Sequence, residues 1–182
     1  MRDHLGERED LRILSFGCST GEEVVTLRRY FPAAHLVGSE VNARRLEICR
    51  ARKLDQRISF VGYNRQALAQ SGLYDAVFCM AVLQRRPHHV IRSRRKDISD
   101  FYPFSQFDEE ISFLVSILKP GGLLAVAHSQ YLVRDASAGG HLAPLPGFFP
   151  TTRQGPRFDP NGHLLEAFPG ETTLFLKLGT KD

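Results

Sequence analysis

The 182-residue sequence predicts a doubly wound α/β domain with a mostly parallel sheet of seven strands. Three observations carry this expectation. Short apolar runs alternate with helical patterns of about ten residues, the signature of strand–helix–strand units around a parallel sheet. The first such run ends on Gly17-Cys18-Ser19-Thr20-Gly21, a glycine-bounded turn that opens a helix. The length is that of one domain, about 100–200 residues, so residues 1–182 are expected to form a single unit.

The elements follow in order. Leu11–Phe16 is short, apolar and closed by Gly17, as a buried strand is. A helical stretch runs from Ser19 to about Tyr30, with Glu22 and Glu23 in the first turn, where the helix dipole favours acids, and Pro32 ends it. His35–Ser39 is the second strand, and a helix over Asn42–Lys53 follows with Leu46, Ile48 and Cys49 inward. Ile58–Val61 and Tyr74–Met80 are the third and fourth strands. Phe107–Leu118 repeats Ile111, Leu114, Val115 and Leu118 at helical spacing, Lys119-Pro120-Gly121-Gly122 stops it, and Leu123–His128 is the fifth strand. About three helices are expected on each face of the sheet. Ser129–Gly162, with five prolines, is expected to be irregular, a length of loop that is more often functional than filler. His163–Phe168 and Thr172–Leu178 read as a C-terminal antiparallel hairpin.

Composition narrows the function. With 24% charged residues and 13 Phe the chain is not disordered. No apolar run approaches the roughly 20 residues that span a bilayer, and the polar N-terminus is unlike a signal peptide. Cys18, Cys49 and Cys79 are widely spaced and odd in number, so neither a disulfide framework nor a metal site is expected, and a cytoplasmic location is. The net charge of +4 is local: Arg85, Arg86, Arg92, Arg94, Arg95 and Lys96 lie within residues 85–96, and without those six the remainder stands at −2. Such a segment suits an anionic acceptor or a nucleic-acid backbone, and a solvated helix face is the simpler reading. Phe101, Tyr102, Phe104 and Phe107 follow it and could stack bases.

The chemistry-bearing residues gather at predicted strand ends. The glycine turn lets a backbone close on a ligand, and the helix start behind it offers free N–H groups. It has neither the GxGxxG spacing nor the Lys of nucleotide-phosphate loops. Glu40, 19 residues after Gly21, stands where this fold class hydrogen-bonds a ribose diol, and Asn64 could pair with an adenine edge. Each has a plain structural alternative, a cap or a turn, and all three features lie where open α/β sheets bind ligands.

Four segments, GCSTGEE (17–23), FVGYN with Asn64, YDAVFCMAVL (74–83) and LKPGGLLAVAHSQYL (118–132), make the sequence resemble the seven-stranded, Rossmann-like S-adenosylmethionine-dependent methyltransferases. Within that class it most resembles the chemotaxis-receptor glutamate methyltransferases. The resemblance implies S-adenosylmethionine as cofactor. It places the Gly17 backbone and Glu23 toward the methionine portion and Glu40 at the ribose hydroxyls, with Cys18, Ser19, Gly21 and Val41 as further cofactor-site residues. Asn64 is placed on the adenine side, and Tyr63, Cys79 and Met80 are further cofactor-site residues, the last two ending the fourth strand. Where that family reads Cys-Arg-Asn, this chain has Cys79, Met80 and Ala81, and with the first strand at about residue 11 their N-terminal helical domain is not expected here. The acceptor is unidentified, with a carboxylate or hydroxyl oxygen of a small molecule or protein preferred. A general base is needed only where the acceptor loses a proton; His128, His88 and His89 are the candidates. Two alternatives stay open, a catalytically silent cofactor-binding module or partner subunit and an RNA methyltransferase, as does oligomer formation.

Overall fold

A computed structural model describes residues 1–149, 155–167 and 170–179. Seven strands form one sheet in the order β3-β2-β1-β4-β5-β7-β6. They are β1 (Arg12–Phe16), β2 (His35–Glu40), β3 (Ile58–Gly62), β4 (Tyr74–Met80), β5 (Leu118–Ala127), β6 (Leu142–Pro144) and β7 (Leu174–Lys177). The first five are parallel neighbours, while β7 runs antiparallel to both β5 and β6. This is the doubly wound seven-stranded fold expected from the strand–helix alternation.

Successive residues of each central strand serve opposite faces, as the two-residue period of a strand requires. Ile13, Ala76 and Leu123 pack on one side with Val24 and Leu27 of α2 (Glu22–Tyr30) and Cys49 of α3 (Ala43–Arg50). Leu5 of α1 (Arg2–Leu5) joins that layer. Leu14, Val77 and Leu124 face the other side, where α4 (Arg65–Gln70), α5 (Pro87–Arg92) and α6 (Phe104–Ser116) contribute Leu68, Val90, Phe107, Ile111 and Leu114. Each face thus carries three helices. None of the described helices is long and apolar enough to cross a membrane.

Several local expectations are corrected. Ile48 is 47% exposed, not inward; Leu46 and Cys49, three apart, share the buried face of α3, and a residue two on from Leu46 points elsewhere. Asn42 and Asn64 cap α3 and α4 by accepting the N–H of the third residue onward, at 3.1 and 2.9 Å. Lys119–Gly122 does not separate α6 from β5. The helix ends at Ser116, and the strand already pairs Leu118 with Tyr74 before a register shift brings Leu123 opposite Ala76. His128 falls just beyond β5.

The C-terminal hairpin also forms between other partners. β7 pairs with Leu142–Pro144 rather than with the run from His163, because Leu174 and Phe175 are buried between β5 and β6. His163 and Leu164 instead make single bridges to Asp97 and Phe158; Phe168 lies outside the described residues. The segment expected to be irregular contributes β6 and two 3₁₀ turns, Val133–Asp135 and Ser137–His141, and no α-helix among the described residues.

Candidate active site

Strand register brings the ends of five strands to one edge. Phe16 is opposite Ser39, Glu40 opposite Gly62, and Met80 opposite Ala127, so the C-terminal ends of β1 to β5 are level. Open α/β sheets bind ligands at that edge.

The glycine turn is held rigidly there. The N–H groups of Gly17 and Cys18 both donate to the Ser39 carbonyl, at 2.8 and 3.0 Å. Glu40, only 5% exposed, accepts from the Ser19 N–H on Oε2 at 2.8 Å and from the Asn42 N–H on Oε1 at 2.7 Å. The Cys49 thiol donates to the Ser19 carbonyl at 3.1 Å, and Arg52 Nε donates to that of Thr20 at 2.7 Å. Behind the turn, the Ser15 hydroxyl donates to Glu23 at 2.6 Å, and burial pushes the Glu23 carboxyl above its ordinary range against that bond.

A cleft of about 250 Å³ opens over this edge. Phe16, Gly17, Ser39, Val41 and Tyr63 line it from the ends of β1 to β3; Val82, Leu83 and Arg85 line it beyond β4; Tyr102, Gln106 and Glu110 close it from the start and face of α6. Phe16 and Tyr63 meet edge to face at 5.4 Å. The Tyr63 hydroxyl donates to Glu110 at 2.9 Å, and Arg65 reaches both the Tyr63 oxygen at 2.9 Å and the second Glu110 oxygen at 3.1 Å. The negative charge of Glu110 is thereby compensated. Arg85 has no carboxylate partner among the described residues. Its backbone is gripped by Gln130, which accepts the Arg85 N–H at 2.6 Å and donates to its carbonyl at 3.1 Å. Its guanidinium lies 5.0 Å from the centre of the Tyr102 ring.

The site residues read from the sequence fall into three groups. Gly17, Val41 and Tyr63 line the cleft, with Val41 79% exposed. Cys18, Ser19, Gly21, Glu23 and Glu40 form the braced turn around it. The others stand apart. Asn64 spends its side-chain carbonyl on the cap of α4. Met80 is 38% exposed at the end of β4, while Cys79 is fully buried inside the sheet, its thiol pushed well up by burial. Burial, with Cys49 beside it, pushes the Cys18 thiol up to about 12, so it remains protonated. His88 and His89 are exposed on α5, and His128 takes a left-handed backbone (φ 55°) after β5; none of the three lines the cleft.

Sequence reasoning missed Phe16, Ser39, Val82, Leu83, Arg85, Gln106 and Glu110 as cleft residues, while Tyr102, weighed as a pocket wall but read as core, both lines the cleft and is buried. Gln106 and Glu110 were legible in principle, since extending the α6 pattern back to Pro103 puts them one turn apart. Arg85 was read only as part of a charge run.

A family profile described as methyltransferase domain matches residues 13–122. A curated relative, trans-aconitate 2-methyltransferase of Deinococcus radiodurans, is 28% identical over 148 residues, covering 78% of this chain and 49% of the relative. The chain therefore spans about half the length of the curated relative it matches. Among solved structures, a Haloferax volcanii methyltransferase in complex with the Trm112 methyltransferase activator is 16% identical, with a TM-score of 0.50 over 75% of this chain and 55% of that one. An amino pentose methyltransferase from Micromonospora echinaspora gives 19% identity and a TM-score of 0.49 over 79% and 52%. The Haloferax likeness concerns the fold alone. The narrower resemblance to chemotaxis-receptor enzymes is not what the comparisons return, since the curated relative is a trans-aconitate methyltransferase. With the profile covering more than half of its residues, the chain belongs to the methyltransferase domain family, in the S-adenosylmethionine-dependent class with a Rossmann-like sheet.

Proposed function

We propose that the protein transfers a methyl group from S-adenosylmethionine to a carboxylate oxygen of an anionic acceptor. The observation that carries the acceptor class is the cation in the cleft: Arg85 faces it without a carboxylate partner among the described residues, while Glu110 is tied to Tyr63 and Arg65. The curated relative's name, which specifies a tricarboxylic acid, agrees with that charge.

The residues at the strand ends fit the cofactor. The Ser39 hydroxyl is fully buried at the cleft wall with no hydrogen-bond partner among the described residues, and a polar ligand atom would satisfy it. Each Glu40 oxygen has accepted one N–H and retains capacity for a second donor, as ribose hydroxyls supply. Gly17 presents bare backbone, and Val41 an apolar surface for a base. When bound, the cofactor supplies a methyl group activated by its sulfonium.

The protein's own task is placement. A carboxylate acceptor is already ionised at neutral pH, so its oxygen needs orientation and exclusion of water rather than a base. Arg85, stacked on Tyr102 and gripped by Gln130, is a preorganised anchor for such a group. The test is incubation with methyl-labelled S-adenosylmethionine and trans-aconitate, citrate or other di- and tricarboxylates. Base-labile label in the acid, lost as methanol on mild alkali, is the expected product. Absence of transfer to any of these acids, or a base-stable product, overturns the carboxylate reading.

A further inference from the structure

The six cations of residues 85–96 do not face one way. Arg85 points into the cleft, whereas Arg94, Arg95 and Lys96 rim a second groove of about 590 Å³ beyond α5. Its floor is apolar, formed by Val90, Ile91, Pro156 and Leu164, with Ile91 55% exposed. The intervening helix has six residues and is therefore about 9 Å long.

The groove has a built wall. Leu164 donates its N–H to the Lys96 carbonyl at 2.8 Å and Ile98 donates to that of Gly162 at 3.0 Å, around the antiparallel bridge between Asp97 and His163. Asp159 accepts the N–H groups of Asn161 and His163 at 2.9 and 2.8 Å, closing the turn. Gly162 (φ 88°) makes this approach feasible, for a Cβ there would stand 2.9 Å from the Ser99 nitrogen. Arg95 is fixed by its ion pair with Asp100 and by the Phe101 ring, 5.4 Å away. Arg94 and Lys96 are exposed and have no carboxylate partner among the described residues. Arg94 also holds a left-handed backbone (φ 47°), uncommon outside glycine.

The aromatic residues after the segment do not offer faces to bases. Tyr102 and Phe107 are 1% and 0% exposed, Phe104 packs on Phe107 and Tyr131, and Phe101 is in contact with the guanidinium groups of both Arg86 and Arg95. A nucleic acid would find phosphate contacts here without stacking platforms. Cations without a carboxylate partner among the described residues, above an apolar floor, match instead a chain in which carboxylates alternate with apolar side chains. We propose that this groove docks an acidic, apolar-containing segment of a partner polypeptide, its carboxylates on Arg94 and Lys96 and an apolar side chain between Ile91 and Leu164. The assignment goes beyond methyl transfer and depends on neither donor nor acceptor.

Fluorescence anisotropy of the whole chain tests it, with a rhodamine-labelled short peptide alternating Glu and Leu as probe. Binding that weakens as salt rises is expected, together with weaker binding of an all-Glu peptide that cannot use the floor. The double variant Arg94→Glu/Lys96→Glu should lose affinity by about tenfold or more, each tenfold being one 1.4 kcal/mol step. Ile91→Ser, at an exposed position, should weaken binding and leave its salt dependence intact. No binding by the wild type, or equal binding by the charge-reversed variant, overturns the proposal. Single-stranded RNA bound more tightly than the peptide, and lost in the same variant, replaces the polypeptide partner with nucleic acid.

Discussion

The Ser19 backbone N–H donates to Glu40 Oε2 at 2.8 Å, so the turn after β1 and the end of β2 are one mechanical unit. The other Glu40 oxygen holds the Asn42 N–H that begins α3. A carboxylate expected to serve a ligand therefore also braces the loop that would receive it. Glu40→Gln should show both roles. Its amide NH₂ must face one of the two N–H donors, leaving it unsatisfied at a cost of about 1–3 kcal/mol. Cofactor affinity should fall on the order of 10–100-fold through loss of charge-assisted bonds. Urea denaturation and calorimetry measure the two effects separately.

Gly17 and Val82 form a close packing pair. A Cβ on Gly17 would lie 2.5 Å from Val82 Cγ2, at a backbone φ of 74°. Gly17→Ala should destabilise by about 2–4 kcal/mol, summing left-handed strain and overpacking. Adding Val82→Ala should recover the steric part and leave the backbone part. A double-mutant cycle in urea reads the coupling; strict additivity contradicts it.

Ala81 carries a φ of 59°, a conformation that costs a side chain other than Gly, Asn or Asp about 1–2 kcal/mol. Relief of that strain, offset by greater freedom of the unfolded chain, makes Ala81→Gly stabilising by about 0.5–1 kcal/mol. Ala81→Asn should stabilise as well. A lower denaturation midpoint for both variants would show that the turn holds no such strain.

Two carboxylates give opposite pH dependence. Burial works to raise Asp75, but Lys119 at 2.9 Å, the Arg12 N–H and Arg8 outweigh it and hold the carboxyl below its ordinary 3.8. Its stabilisation is complete above that value and lost as pH falls through the depressed one. Glu23 is raised above 4.5 by burial, against the Ser15 bond. Its contribution is complete below 4.5 and lost as pH rises through the raised folded value. Stability measured against pH should therefore lose part of its acid limb in Asp75→Asn. In Glu23→Gln it should lose the decline just above the ordinary glutamate range.

Much of this organisation was legible in the chain. β4 was read to the residue at Tyr74–Met80, and the glycine turn and Glu40 were read at strand ends, where the register puts them. The misreadings have physical causes. Leu118 has the right spacing for α6, yet its burial against β4 draws it into β5. β6 has only three residues, and long-range pairing with β7 decides it rather than any local pattern. Arg85 and Arg94 are indistinguishable in a basic run; only the direction of α5 sends one to the cleft and the other to the groove.

The central claim is that the cleft over Gly17, Ser39 and Glu40 receives the methyl donor. Calorimetric titration of the wild-type protein with S-adenosylhomocysteine, the demethylated cofactor, tests it most directly. Saturable binding of one equivalent, weakened on the order of 10–100-fold in Glu40→Gln, is the predicted result. No heat of binding to the wild type, or an affinity indifferent to Glu40, would contradict it.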